Sequence, residues 1–151
     1  MRNVYMIIAT FFYTGYFPKG SGTFATACFL PFYYFFFREM NPYLYAVITI
    51  AIYFIGVWAS NYAEAILKKE DPSEVVIDEV LGYLVTMFLI PYSFKAMIVG
   101  FIICRILDII KFFPAYQAQS FRGGNGIMAD DAIAGVQGWI IMIALVYFKV
   151  I

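Results

Sequence analysis

The sequence predicts an all-α protein, a compact bundle of about six helices that are mostly embedded in a membrane. The first observation behind this prediction is composition. Hydrophobic residues make up 64 % of the chain and charged residues 13 %, whereas a soluble domain is roughly half apolar and a quarter charged. The second is the abundance of aromatic residues, 17 Phe and 13 Tyr, which suit the headgroup level of a bilayer. The excess of apolar side chains therefore indicates contact with lipid.

The 151 residues form one domain, in which six apolar segments are separated by glycine- and proline-rich turns. No charged residue lies between Glu39 and Glu64, so the third segment exceeds the roughly 20 residues that cross a bilayer. The fourth is short, at roughly 22 Å, and is expected to be shielded by its neighbours. The predicted helices are Asn3–Thr14, Phe24–Phe37, Tyr43–Ile66, Asp78–Ile90, Phe94–Ile110 and Asp130–Lys149.

If every segment crosses once, the loops alternate between two sides. Gly15–Thr23, Lys68–Ile77 and Lys111–Ala129 then share one side, while Arg38–Pro42, Pro91–Ser93 and both termini share the other. The charged and glycine-rich stretches gather on the first side, which is the expected active side. Lysine and arginine are divided almost evenly, so the positive-inside rule does not fix the orientation.

Several functional classes are excluded by what the sequence lacks. The formal net charge is zero, so no basic field attracts nucleic acid. Histidine is absent, which excludes a phosphohistidine intermediate. Cys28 and Cys104 lie in apolar stretches and are interpreted as small buried side chains.

The first candidate site is Asp78-Glu79, which opens the fourth segment after three branched apolar residues. The structural alternative is that these two acids simply complement the helix dipole at the N-terminus of a helix. Because these two lie within an apolar run, their desolvation favours a paired or metal-binding role instead.

The second candidate is Arg105, Asp108 and Lys111, whose spacing of three places them on one helical face. An internal ladder of ion pairs is the structural alternative. Ionisable residues within a membrane helix nevertheless point first to function.

The third candidate is the pair Asp130-Asp131, which follows the glycine-rich stretch Gly123–Gly126. Asp130 alone could be a helix N-cap. Two adjacent acids beside a flexible loop also meet the needs of a hard cation.

The fourth candidate is Gly15–Thr23, where glycines, Lys19 and the hydroxyls of Ser21 and Thr23 precede a helix. This composition favours an anion-binding loop. Arg122, on the same predicted side, is a further candidate for binding phosphate.

Taken together, the five acids give a site with oxygen ligands only, which favours Mg²⁺ over Zn²⁺. The cations nearby suit phosphate chemistry. Neither cysteine is followed by arginine six residues later, and no aspartate has another two positions on. What remains is hydrolysis by a metal-activated water. The proposed metal ligands are Asp78, Glu79, Asp108, Asp130 and Asp131, and Lys111 completes the catalytic set; Lys19, Ser21, Thr23, Arg105 and Arg122 are the phosphate-binding candidates.

The order of these motifs resembles the phosphatidylglycerophosphatase A family over nearly the whole chain. The motifs are Gly22-Thr23-Phe24, Val76-Ile77-Asp78-Glu79-Val80 with Gly82, Arg105 with Asp108 and Lys111, and Gly126-Ile127-Met128 with Asp130-Asp131 and Gly135. The resemblance implies a six-helix bundle that removes the terminal phosphate of phosphatidylglycerophosphate, with Mg²⁺, to give phosphatidylglycerol. It also implies a multi-pass protein of the bacterial inner membrane whose active side is cytoplasmic.

Two other functions remain open at this stage. A membrane phospholipid phosphotransferase would also be helical and use Mg²⁺, but its aspartates would follow an Asp-x-x-Asp-Gly pattern, whereas Ala132 follows Asp130-Asp131. A non-enzymatic cation carrier would place its acids near the middle of the membrane, whereas these acids lie at segment ends. The sequence does not indicate an oligomeric state.

Overall fold

The computed structural model describes residues 2–151, which form seven α-helices and, within that range, no β-strand. A 3₁₀ turn at Thr14–Tyr16 precedes the second helix, and a π-helical turn at Tyr33–Phe37 extends it beyond Pro31. The helices are α1 (Arg2–Ala9), α2 (Ser21–Phe32), α3 (Pro42–Leu67), α4 (Ile77–Thr86), α5 (Phe94–Ile110), α6 (Ala115–Ala118) and α7 (Gly124–Tyr147). The predicted all-α fold is confirmed.

Two helices, α3 and α7, are long and apolar enough to cross a membrane. α3 begins cleanly because Asn41 Oδ1 accepts the N–H groups of Tyr43 and Leu44, at 2.9 and 3.5 Å, and Pro42 occupies the first helical position. At 1.5 Å per residue, α3 is roughly 39 Å long. The other helices are shorter, and crossing by all six predicted segments remains a prediction.

Three predicted boundaries were wrong. α1 ends at Ala9 because Phe11, Phe12 and Tyr13 all have positive φ, which no helix accommodates. α2 begins three residues earlier than predicted, at Ser21. α4 stops at Thr86 rather than Ile90, and the left-handed Leu89 turns the chain towards α5.

The last helix also differs from its prediction, since α7 begins at Gly124 rather than Asp130. The Gly124 N–H donates to Asn61 Oδ1 at 2.8 Å, so a side chain of α3 provides the cap. A side chain at Gly124 would collide with the carbonyl of Val57. The glycine-rich stretch is therefore helical because it packs directly on α3, and Asp130 lies inside the helix rather than at its N-cap.

α4 and α7 cross at very short range because small residues line both helices. A Cβ on Gly135 would lie 2.7 Å from the Gly82 carbonyl oxygen, and one on Gly138 would lie 2.8 Å from Thr86 Oγ1. Thr86 Oγ1 donates to the Gly82 carbonyl at 2.9 Å, which satisfies a polar group in this dry interface. The crossing brings the N-terminal turn of α4 beside the acidic part of α7.

The connecting loops gather at two ends of the bundle, as the alternation predicted. At one end, Ser21 Oγ donates to the Ser73 carbonyl at 2.8 Å, and the α3–α4 and α5–α7 loops share a cavity of about 530 Å³. At the other end, the α2–α3 and α4–α5 turns line a cavity of about 170 Å³. The three charged and glycine-rich loops are therefore neighbours in space.

The outer surface of the bundle is largely apolar. On α3 alone, Val47, Ile50, Phe54 and Trp58 are exposed, with Phe54 at 65 %. Soluble proteins rarely expose apolar surface this continuous, so this face is suited to lipid.

Candidate active site

Five carboxylates and two cationic side chains converge where the charged loops meet. α4 contributes two of these residues from its first turn, α5 contributes two from its last turns and one immediately after it, and α7 contributes two from its interior. We refer to Asp78, Glu79, Arg105, Asp108, Lys111, Asp130 and Asp131 as the carboxylate cluster. The structure thus brings all six predicted catalytic residues together with Arg105.

Arg105 links α4 to α5. Its Nη2 lies 2.7 Å from Asp108 Oδ2, and its Nη1 lies 3.9 Å from Glu79 Oε1. Only 11 % of the Arg105 side chain is exposed. A charge buried to this degree requires partners, and the two acids provide them.

Lys111 links α5 to α7. Its Nζ is bonded to Asp130 Oδ2 and lies 3.9 Å from Asp108 Oδ1 and 4.0 Å from Asp131 Oδ1. Burial disfavours the ammonium, but the hydrogen bond to Asp130 and the surrounding carboxylates outweigh it and raise the pKa of Lys111 above its ordinary value. Lys111 is therefore a permanent cation at neutral pH.

Several polar atoms of the cluster are buried without a hydrogen-bond partner among the described residues. They are Asp78 Oδ1, Glu79 Oε2, Asp131 Oδ1, and Nε and Nη1 of Arg105. Burying such an atom without a partner costs on the order of 1–3 kcal/mol. Free acceptors and free donors in one place suit a ligand that offers both positive and negative charge.

The carboxylates also face one another. The carboxylates of Glu79, Asp108 and Asp130 repel that of Asp78 electrostatically. The carboxyl of Asp131 lies against that of Asp108. Five acids share only two cations, so the ionised cluster carries surplus negative charge at low dielectric. A bound cation would relieve this repulsion.

The cluster suits a metal ion by the chemistry of its donor atoms but not by the present positions of its side chains. Within residues 2–151, no three acidic or cysteine side chains are grouped closely enough to hold a metal ion as they stand, because Arg105 and Lys111 lie between the carboxylates. The donors themselves, carboxylate oxygens without histidine, are those that Mg²⁺ prefers. The residues therefore fit a hard cation by donor type and charge, while their side chains are positioned as an ion-pair network.

Gly22, which the sequence analysis placed in the anion-binding loop and in the Gly22-Thr23-Phe24 motif, lies against the carboxylate cluster. A Cβ at this position would collide with Glu79 Oε1 and lie 3.0 Å from Arg105 Nη2. Gly22 therefore lets α2 pack directly on the pair. Its position in a glycine-rich stretch was visible in the sequence, but the neighbour across the bundle was not.

The remaining phosphate-binding candidates lie outside the cluster. Lys19 and Thr23 are exposed, and Ser21 uses its hydroxyl to bond the Ser73 carbonyl. Arg122 is exposed and lines the 530 Å³ cavity together with Glu64 and other residues. Among the ion pairs formed by the described residues, none joins Lys19 or Arg122 to the carboxylate cluster, so Arg105 is the phosphate-binding candidate that the fold places there.

Comparison with known proteins identifies the family. The family model for phosphatidylglycerophosphatase A matches residues 7–146. The chain belongs to the phosphatidylglycerophosphatase A family. Phosphatidylglycerophosphatase A of Escherichia coli is 31 % identical over 139 residues, which cover 90 % of this chain and 80 % of that protein. The Haemophilus influenzae phosphatidylglycerophosphatase A is 27 % identical over 107 residues, which cover 70 % of this chain and 66 % of that protein.

A third relative has a different name. It is a Bacteroides thetaiotaomicron protein provisionally named phosphatidylinositol-3-phosphatase, 31 % identical over 144 residues, which cover 91 % of this chain and 90 % of that protein. No solved structure matches significantly. Membership of the phosphatidylglycerophosphatase A family makes the chain a phosphoric monoester hydrolase with a phospholipid substrate, which excludes the cation-carrier alternative.

Proposed function

We propose that the protein is a Mg²⁺-dependent lipid phosphatase that hydrolyses the terminal phosphate of phosphatidylglycerophosphate and releases phosphatidylglycerol. The observation that carries this proposal is the buried convergence of carboxylates with Arg105 and Lys111 in a chain of this family. A phosphate monoester needs positive charge around its oxygens as the bond to the leaving oxygen breaks.

Asp78, Glu79 and Asp131 are the residues that would hold Mg²⁺, since each has a buried carboxylate oxygen free of partners. Asp108 and Asp130, which pair with Arg105 and Lys111, would complete the predicted set of ligands. A bound Mg²⁺ would supply charge that offsets the phosphate oxygens and makes a water more acidic.

Arg105 supports phosphate binding because Nε and Nη1 are buried donors without acceptors. A guanidinium binds two phosphate oxygens with parallel hydrogen bonds. Asp108, bonded to Nη2, fixes the orientation of the guanidinium. Lys111 keeps its charge at neutral pH and offsets part of the negative charge of Asp130 and Asp131. A bound Mg²⁺ would offset the remainder, which would otherwise repel an anionic substrate.

The lipid chains of the substrate are proposed to lie against the exposed apolar faces, such as that of α3. The cluster lies at one end of the bundle, which suits a phosphate at the headgroup level. We further propose that the segments cross the bilayer of a bacterial inner membrane and that this end faces the cytoplasm.

Phosphate release from a panel of lipid monophosphates tests the proposal. The purified protein in detergent micelles is assayed with phosphatidylglycerophosphate, phosphatidic acid and phosphatidylinositol 3-phosphate, each with Mg²⁺ and with a chelator. We expect the fastest release from phosphatidylglycerophosphate and loss of activity with the chelator. Equal activity with the chelator would contradict the metal, and no release from any lipid would contradict the function.

Phosphatidylinositol 3-phosphate is a second candidate substrate, because the Bacteroides relative carries that name and matches as much of the chain as the Escherichia coli protein does. Both lipids place a monoester phosphate on a polyol headgroup. The panel separates them, since a preference for the inositol lipid would replace the glycerol lipid as substrate without changing the proposed chemistry.

A further inference from the structure

Two loops at the end of the bundle that holds the carboxylate cluster are rich in exposed aromatic residues. One loop precedes α2 and the other connects α5 to α7. Each exposes four aromatic side chains, at 46 % or more of their surface. We call these eight residues the aromatic collar: Phe12, Tyr13, Tyr16, Phe17, Phe112, Phe113, Tyr116 and Phe121.

The first loop is tied to the segment that leads into Asp78. Val76 N–H donates to the Ala9 carbonyl at 2.9 Å. Gly15 packs on the Glu74 carbonyl so closely that a Cβ would collide with it. The loop is therefore held against the chain just before α4, rather than hanging free.

Backbone conformation turns the rings of this loop outward. Phe11, Phe12 and Tyr13 have φ of 40°, 56° and 67°, and left-handed conformations cost aromatic residues on the order of 1 kcal/mol or more each. Phe12 and Tyr13 are 65 % and 50 % exposed in this conformation.

The second loop continues directly from Lys111 of the cluster and is held against α7. Phe112 and Phe113 directly follow Lys111 in the chain, and Gln137 Nε2 of α7 donates to the Phe113 carbonyl at 2.8 Å. The short helix α6 buries Ala115 and Ala118, which leaves Tyr116 69 % exposed. Each loop is therefore connected to a segment that contributes residues to the carboxylate cluster.

The chemistry of the collar fits the headgroup region of a lipid bilayer better than water or another protein. Aromatic rings concentrate at membrane interfaces, where one part of the ring is apolar and the other is hydrated. Lys19 and Arg122 are exposed in the same two loops, and cations near the surface attract anionic lipids.

We propose that the aromatic collar inserts into the interfacial region of the leaflet that contains the substrate, and so holds the carboxylate cluster at the depth of the lipid phosphate. This inference rests on the proposed lipid phosphatase function. Its ligand is the lipid surface itself, and the collar residues are positioning residues because none of them is part of the cluster.

The first experiment compares two forms of one substrate. The triple variant Tyr16→Ser/Phe113→Ser/Tyr116→Ser is assayed with long-chain phosphatidylglycerophosphate in vesicles and with a short-chain, monodisperse analogue. We expect kcat/KM on vesicles to fall about tenfold or more, as the loss of roughly 1.4 kcal/mol of insertion energy requires, with the analogue unchanged. A merely damaged site would lose activity on both substrates, and that result would overturn the proposal.

The matched control is Tyr147→Ser/Phe148→Ser. These two aromatic side chains are 78 % and 73 % exposed and lie at the far end of α7. Their loss should leave the ratio of the two activities unchanged. An equal change in that ratio would show that any exposed aromatic pair suffices and would overturn the assignment to the collar.

The second experiment does not depend on activity. A fluorophore is attached to a cysteine at position 113 in a Cys28→Ala/Cys104→Ala background and is quenched by lipids that carry nitroxides at different depths. We expect the strongest quenching from a headgroup nitroxide. Quenching only by an aqueous reagent, or protection from both by a second copy of the chain, would overturn the collar, whatever lipid the enzyme hydrolyses.

Discussion

Asp78 and Asp131 are the residues on which the proposed chemistry depends most directly, because each has a buried carboxylate oxygen without a partner. Replacing either with Asn keeps the shape and removes the charge. We expect Asp78→Asn and Asp131→Asn each to lower kcat by about a hundredfold or more, measured as phosphate release at saturating Mg²⁺. Asp71→Asn, at an exposed acid of the α3–α4 loop, is the control and should stay within about twofold of the wild type. Near-normal turnover in either cluster variant would remove that residue from the site.

Lys111 is predicted to stabilise the folded protein as well as to take part in catalysis. Lys111→Met leaves the buried Asp130 and Asp131 without their shared cation, and removing one partner of a buried ion pair costs on the order of 3–5 kcal/mol. Because the pKa of Lys111 is raised in the folded protein, its contribution is full below the ordinary lysine pKa and is lost as pH rises through the folded value. The loss of stability should therefore be full at neutral pH, well below the ordinary lysine pKa, as measured by thermal unfolding in detergent.

Arg122→Met serves as the comparison for Lys111→Met. Arg122 is exposed and outside the cluster, so its removal should change stability by less than about 0.5 kcal/mol. Equal destabilisation by the two substitutions would mean that the ion pairs of Lys111 contribute nothing specific.

The sequence predicted the members of the cluster better than it predicted their geometry. Acids in apolar surroundings are recognisable because their desolvation demands an explanation, and Asp78 and Glu79 were found that way. Asp130 and Asp131 were identified as adjacent acids beside a glycine-rich stretch. Lys19 and Arg122 were grouped with them only because they share a side of the bundle. Whether a side chain on that side reaches the cluster depends on packing, which no local pattern reveals.

At the scale of the helices, the α4–α7 crossing has the clearest consequence. Gly135→Val places a branched side chain against the Gly82 carbonyl. Because a backbone atom cannot move aside as a side chain can, we expect a loss of about 3 kcal/mol or more together with loss of activity. Val136→Ala, on the exposed face of the same helix, should have little effect. Thermal unfolding and phosphate release measure both variants, and a stable, active Gly135→Val would show that the helices need not approach so closely.

The six longer helices were predictable from the sequence, whereas the short helix α6 was not. Helix limits were predictable only where the sequence carries strong start signals. The apolar runs that became α3 and α5 were predicted to within one residue at each end, because Asn41-Pro42 and Ser93 are strong start signals. The start of α7 was missed because glycines normally argue against a helix. Here, contact with Asn61 and Val57 of α3 reverses that preference. The pairs Gly82–Thr86 and Ala134–Gly138, each four residues apart, were the available signal of a close crossing.

At the scale of the whole molecule, the arrangement of the loops makes a prediction about membrane sidedness. Ser73 and Ser120 lie at the end that holds the cluster, and Pro91 lies at the other. Single cysteines at these positions, in a background without Cys28 and Cys104, are labelled with an impermeant thiol reagent in intact and opened vesicles. We expect positions 73 and 120 to share one accessibility and position 91 to show the opposite one. Labelling of positions 73 and 120 from different sides would refute the proposed topology.

α7 packs against four other helices, α3, α4, α5 and α6. It also follows those helices in the sequence, so the ribosome delivers it after them. Until it arrives, Asp78 and Glu79 have neither the acids of α7 nor the glycine-lined surface against which α4 packs. The nascent chain therefore carries five of the seven cluster residues before α7 is made, and the site is complete only when α7 has packed against α4 and α5.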